Sequence, residues 1–145
     1  MEKRIITISR EFGSGGRFIG EEVAKKLGIA YYDKSIINEI AEKSGLSPEY
    51  IKENADYILK DREDVLNVFI HGNMPEKIQC IGQLYHVGEK EAAKMLADTD
   101  KRRMTNYNFY TDQKWGKASN YTLCLNSSQL GYDRCEKIIM ECLGV

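Results

Sequence analysis

The tightest constraint in this chain is the run Gly13-Ser14-Gly15-Gly16, set between an apolar stretch and a helical one. Upstream, residues 4–9 (Arg4, Ile5, Ile6, Thr7, Ile8, Ser9) are β-branched and nearly all apolar, which predicts a strand covered on both faces. Downstream, Ile19, Val23, Ala24 and Leu27 recur at helical spacing, and Gly28 stands where a helix would stop. Strand, glycine-rich turn and helix together aim backbone N–H groups and the positive end of a helix dipole at one point, a natural seat for an anion. Glycine suits such a loop because a β-carbon would hold the backbone away from the ligand and because the turn needs positive φ. Arg17, at the helix start, adds a fork-shaped cation matched to phosphate oxygens, and Arg10, just past the strand, reaches the same space. The alternative is a β–α turn with no ligand, which has little need of three glycines between two arginines.

The loop fits no standard phosphate pattern in full. In the Walker A form G-x-x-x-x-G-K-[ST], taking Gly15 or Gly16 as the second glycine puts Arg10 or Glu11 in place of the first. Gly16 or Arg17 then stands where the lysine belongs, and Arg17 or Phe18 where the metal-binding hydroxyl belongs. The dinucleotide form G-x-G-x-x-G fails at Phe18.

Beyond the loop, residues 29–32 predict a short second strand. Asp33 is placed to cap a helix with the stripe Ile36, Ile37, Ile40 and Ala41, ended by Gly45. Ser47-Pro48 opens a further short helix, with serine as cap and proline at its first position. Residues 65–70 and 121–125 predict two more strands, and helices fit at 75–85, 89–104 and 131–143. Alternating strands and helices predict an α/β domain with a mostly parallel sheet and helices on both faces. Between residues 46 and 64 no apolar run supplies the extra central strand that such a fold wants, so four strands are expected, one fewer than usual.

The 145 residues suit one domain able to bury its own core. A net charge of −1 gives no global reason for a nucleic-acid or membrane partner, so an anionic ligand has to be met by local clusters of base. Cys80, Cys124, Cys135 and Cys142 show no C-x-x-C spacing and no pairing with His71 or His86, which argues against zinc and against a disulfide framework. Free thiols, a start without a signal-peptide pattern and no run approaching the ~20 apolar residues of a membrane span predict a cytoplasmic protein.

Three blocks of the chain resemble the cytidylate kinase-like family, P-loop proteins related to bacterial CMP kinase. The first is Ile6-Thr7-Ile8-Ser9-Arg10-Glu11-Phe12-Gly13-Ser14-Gly15-Gly16-Arg17 with Leu27-Gly28-Ile29-Ala30-Tyr31-Tyr32-Asp33-Lys34. The second runs from Ala55 to Lys60 and from Val65 to His71, and the third holds Thr99-Asp100-Lys101-Arg102-Arg103, Tyr107, Trp115-Gly116 and Leu123-Cys124-Leu125-Asn126. The resemblance implies a three-layer P-loop NTPase-like fold and phosphoryl transfer from ATP, with Mg2+, to a nucleotide or other small acceptor. It assigns the donor phosphates to Gly13, Ser14, Gly15, Gly16 and Arg17, with Arg10 beside them. It assigns the acceptor to Asp33, and an arginine-bearing lid to residues 100–115, where Arg102 and Arg103 join Arg17 as the charge-neutralising catalytic groups. Read from the residues alone, Lys90, Lys94, Lys101, Arg102 and Arg103 also fit the solvated face of an ordinary helix, and the tyrosines fit packing roles.

Two departures from the family pattern stand out. Family members carry a longer stretch between the block ending near Asn54 and the one starting at Ala55, holding a central strand and much of the acceptor-gripping region. Here the two blocks abut. After the third predicted strand, where related kinases are rich in arginine, this chain has Lys77, Gln79 and Cys80. A nucleotide kinase is therefore the leading expectation. The second is a kinase-like module that binds a nucleotide or anion without turnover, and the third a structural subunit, as a homodimer, whose loop holds only a stray anion.

Overall fold

A computed structural model describes residues 3, 5–32 and 34–144, and of residues 34–36 and 53 the backbone alone. In chain order the elements are β1 (Ile5–Arg10), α1 (Gly16–Leu27), α2 (Lys34–Ser44), α3 (Pro48–Glu53), α4 (Ala55–Ile58), β2 (Val65–His71), α5 (Met74–Tyr85), α6 (Glu89–Tyr110), β3 (Leu123–Asn126), α7 (Ser127–Leu130) and α8 (Tyr132–Cys142), with a 3-10 turn at Ala118–Asn120 before β3. Among the described residues one parallel sheet forms in the order β1-β2-β3, with Ile5 opposite Val65 and Val68 opposite Leu123. This is an α/β architecture, with parallel strands joined by helical crossovers.

β2 sits at the centre and is buried along most of its length, as a doubly covered strand should be. Its Leu66, Val68 and Ile70 join Ile19 and Val23 of α1 and Cys135 and Ile139 of α8 in the main core. Successive side chains of a strand point to opposite faces, so Asn67, Phe69 and His71 look the other way. There the Phe69 ring meets Tyr121 at 4.8 Å, Trp115 edge-on at 5.5 Å and His71 at 6.3 Å. A smaller core joins α5 and α6 through Ile81, Ala92 and Leu96, with Phe12 of the glycine-rich loop packed onto it.

Local chemistry sets the helix ends. Gly28 (φ 66) and Gly45 (φ 76) close α1 and α2 in the left-handed conformation. Ser47 Oγ accepts from the Tyr50 N–H at 3.1 Å at the start of α3, with Pro48 behind it, as the Ser-Pro pair predicts. Asp33, the expected cap of α2, lies outside the described residues, and so does the side chain of Ile36; of the remaining stripe Ala41 is buried, Ile37 half-buried and Ile40 exposed.

Three expectations are corrected. Residues 29–32 form no strand: the Ile29 N–H turns back to Ala24 O, and Ile29, Tyr31 and Tyr32 stay substantially exposed. A short apolar run becomes a strand only where a partner ladder meets it, and here none does. The last strand starts at Leu123 because Tyr121 closes the 3-10 turn and lays its ring against Phe69. The sheet therefore has three strands among the described residues, not four. The helix expected at 89–104 runs on to Tyr110, held by the burial of Tyr107. Between residues 48 and 58 the chain makes two short helices that meet at the buried Asn54.

Candidate functional site

β1 ends at Arg10, and the loop turns through Glu11, Phe12, Gly13, Ser14 and Gly15 into α1. Gly13 (φ 78) and Gly15 (φ 79) take the left-handed conformation that favours glycine. Both also permit close approach. A β-carbon at Gly13 would fall 2.6 Å from Lys77 O, and one at Gly15 would overlap the Tyr132 ring.

The loop is tied down from several sides. The Ser14 hydroxyl donates to Glu11 O at 2.7 Å, and the Ser14 carbonyl accepts from the Ser127 hydroxyl. The Phe12 N–H donates to Asp100 Oδ1 at 2.8 Å. Glu11 Oε1 accepts from the Gly72 N–H at 3.1 Å and from Lys77 Nζ at 2.8 Å, with the Lys77 side chain only 5 % exposed. Burial raises the Asp100 carboxyl above its ordinary range, opposed by the Phe12 N–H and reinforced by the charge of Glu11. Glu11, Lys77 and Asp100 are thus the loop's supports, and reading the sequence missed that role. The lone basic residue Lys77, at the head of the helix after the second strand, was the signal available.

A cleft of about 80 Å³ opens beside the end of β1, lined by Arg10, Lys52 of α3, Arg102 and Arg103 of α6, and Trp115. The hydrogen-bond pattern explains its position. The Ile5 N–H reaches Asp64 O and the Glu11 N–H reaches Ile70 O, so odd-numbered residues of β1 bond towards β2. Even-numbered ones face the opposite, unladdered edge. There Arg10 O accepts from Arg103 Nη1 at 3.0 Å, and the Arg103 guanidinium lies 5.8 Å from the centre of the Phe12 ring. The long helix α6 therefore brings its arginine pair to the loop, although they stand ~90 residues apart in sequence.

Of the expected site residues, Arg10, Arg102 and Arg103 come together in this cleft, and Gly13, Ser14, Gly15 and Gly16 form the adjoining loop. Arg17 does not join them. Its side chain is 73 % exposed on α1 and pairs with Glu21 at 3.0 Å. The Ser14 hydroxyl is buried and turned inward to Glu11 O. Asp33 lies outside the described residues. Lys52 joins the cleft without any local signal, since its position in sequence is that of a helix-surface lysine.

Behind the cleft Tyr107 on α6 is buried, and its hydroxyl lies 2.7 Å from Asp56 Oδ2 and 2.7 Å from Gln113 Oε1. A single hydroxyl proton serves both contacts only when a second proton, on Asp56 or through the Gln113 amide, donates back. Asp56 Oδ1 and Asn54 Oδ1 are buried without a partner. Burial pushes the Asp56 carboxyl up, with the Tyr107 hydroxyl opposing, and raises Tyr107 and Tyr121, the latter to about 12. Among the described residues no group of three or more His, Cys, Asp or Glu side chains is arranged to hold a metal, and the four cysteines are free. Nor is any described helix long and apolar enough to cross a membrane.

The sequence profile of the cytidylate kinase-like family matches residues 5–56 and 53–129. The chain belongs to the cytidylate kinase-like family. Its fold is shared with a solved structure of an uncharacterised protein from Eubacterium ventriosum, at TM-score 0.87 and 24 % identity over 99 % of both chains. It is shared more loosely with shikimate kinase from Bacteroides thetaiotaomicron, at TM-score 0.53 and 12 % identity over 97 % of this chain and 98 % of that one. At these identities the likeness is one of fold. A search of curated proteins finds no match.

Proposed function

We propose that this family member is an ATP-dependent phosphotransferase built on a three-layer P-loop framework, acting on a nucleoside monophosphate or another small acceptor. The observation that carries the reading is the meeting of the glycine loop with the arginine pair of α6 at the end of β1. Phosphoryl transfer needs little covalent help from a protein: positioned cations and backbone N–H groups stabilise charge on the group in flight. Gly13 and Gly15 give the loop the left-handed turns of a phosphate cradle, and Arg102 and Arg103 suit the developing charge. Mg2+ would ride on the nucleotide phosphates, because the described residues offer no three-ligand cage and Ser14 is turned inward. By its match to the family pattern, Asp33 would contact the acceptor.

We read the domain as one whose acceptor-binding stretch is cut short near residues 54 and 55. In support, the family profile matches in two segments that meet at residues 53–56, and α3 and α4 are separated there by Asn54 alone. One observation favours the alternative of a non-catalytic nucleotide- or anion-binding protein: Arg17 is paired outward with Glu21 and lies outside the cleft.

Isothermal titration with ATP and Mg2+, followed by a turnover screen over CMP, dCMP and other small acceptors, tests the reading. Binding with turnover supports the kinase, and binding without turnover for any acceptor moves the assignment to the binding module. No binding at all removes both.

A further inference from the structure

The two departures of the loop from Walker A are reciprocal. With Gly15 as the second glycine, the pattern wants glycine at position 10 and lysine at position 16, and the chain has Arg10 and Gly16. In space the two positions touch. A β-carbon on Gly16 would fall 2.7 Å from Arg10 Cβ and 3.0 Å from Arg10 Cδ, so the arginine stem crosses the place where a side chain at position 16 would begin. Gly16 is thus small because Arg10 lies over it, and Arg10 runs on to line the cleft with Lys52, Arg102, Arg103 and Trp115.

We propose that Arg10 supplies, from the end of β1, the cation that Walker A carries on the loop itself, and that with Lys52, Arg102 and Arg103 it seats a single phosphoryl group in this cleft. The volume agrees: about 80 Å³ is far below the roughly 300–1,000 Å³ of sites that enclose a whole small molecule, and suits one compact oxyanion whose remainder lies outside. The chemistry agrees as well, since guanidinium groups bind phosphate oxygens through paired N–H donors. This deepens the kinase reading and rests on it for the identity of the phosphorylated ligand, but the binding claim stands or falls separately.

Trp115, the chain's single tryptophan, lines the cleft and supplies a local signal. Inorganic phosphate and tripolyphosphate are titrated into the intact protein at low salt, with Trp115 emission as readout and thermal melting to confirm folding. Wild type gives a saturable change that weakens with added salt. Arg10→Met keeps the stem over Gly16 and removes the charge, and weakens binding about tenfold or more, the size of a lost charge-assisted hydrogen bond. Arg10→Lys keeps the charge without the paired donors and falls between wild type and Arg10→Met. The decisive variant is Arg10→Gly/Gly16→Lys, which returns the cation to the loop and restores binding well above that of Arg10→Gly alone. A merely structural role for Arg10 would not be rescued by moving the charge across to position 16.

Phosphate binding unchanged in Arg10→Met, no better binding in the double variant than in Arg10→Gly, or no saturable response in wild type each overturns the proposal. Turnover of ATP with a silent Arg10→Met would sink this inference and leave the kinase reading standing. The charge-swap behaviour in a protein that never turns over ATP would do the reverse.

Discussion

The glycine loop and the cleft adjoin at the end of β1, yet they are built in opposite ways. The loop is five consecutive residues tied into the fold through Glu11, Ser14, Asp100 and Ser127. The cleft gathers side chains from β1, α3, α6 and the segment after α6, set by the packing of long elements. The loop is scaffold as much as site, so its substitutions should register first as stability. Cleft substitutions should register as affinity.

Gly15→Val should be the most damaging single change. It places a β-branched residue at φ 79 and drives side-chain atoms into the Tyr132 ring. Positive φ for such a residue and overpacking each cost on the order of 1–3 kcal/mol, so a loss of about 3 kcal/mol or more is expected in denaturant melts. Tyr132→Ala in that background should recover the overlap cost and leave the backbone cost. A Gly15→Val protein as stable as wild type would show that the loop does not need its glycine.

Next comes the support beneath the loop. Lys77 is almost fully buried and Glu11 partly so, joined at 2.8 Å. Removing one partner of a buried pair costs roughly 3–5 kcal/mol, and the partial exposure of Glu11 brings the expectation for Lys77→Met to about 2 kcal/mol. The double variant Lys77→Met/Glu11→Gln should lose clearly less than the sum of the two single losses. Additive losses would mean that the pair does not couple α5 to the loop.

The same contrast explains what the sequence made readable. Residues 4–28 announce themselves because strand, turn and helix are local: β-branched residues, glycines and a 3.6-residue repeat stand in one short window. Lys52 has no such signal, since only the tertiary fold turns a helix-surface lysine into a wall of the cleft beside β1. Residues 29–32 misled for the same reason in reverse. Their apolar run has strand chemistry, but a strand exists only where another backbone meets it. From position alone Arg17 was the leading loop cation with Arg10 beside it, and it took the contact of Arg10 with Gly16 and the pairing of Arg17 with Glu21 to set them apart.

Asp56 adds a pH test on the cleft side of the molecule. Burial raises its carboxyl, so the folded protein holds that proton more tightly than the unfolded chain does. The stabilisation is fully present below the unfolded aspartate value near ~3.9 and is lost as pH rises through the raised folded value. Asp56→Asn keeps an acceptor for Tyr107 and removes the titration, so its melting temperature should gain on wild type as pH rises from 4 towards neutrality. A constant difference between the two proteins over that range would mean that Asp56 is ionised in the fold throughout.

The smallest stability effect should come from Lys52, and it sharpens the comparison most. Lys52 is exposed at the wall of the cleft and belongs to neither apolar cluster. An exposed substitution changes stability by about 0.5 kcal/mol, and a solvent-exposed contact such as Lys52 makes is worth about 0–1 kcal/mol, so Lys52→Met should melt within a few degrees of wild type. Its phosphate titration should nonetheless weaken several-fold, because one of four cations around a single oxyanion has gone. Lys77→Met should show the reverse order, a large loss of stability with phosphate affinity nearly kept in the protein that remains folded. If Lys52→Met instead unfolded the chain, or left phosphate binding untouched, the cleft would be a structural joint between α3 and β1, and the loop alone would have to carry the anion.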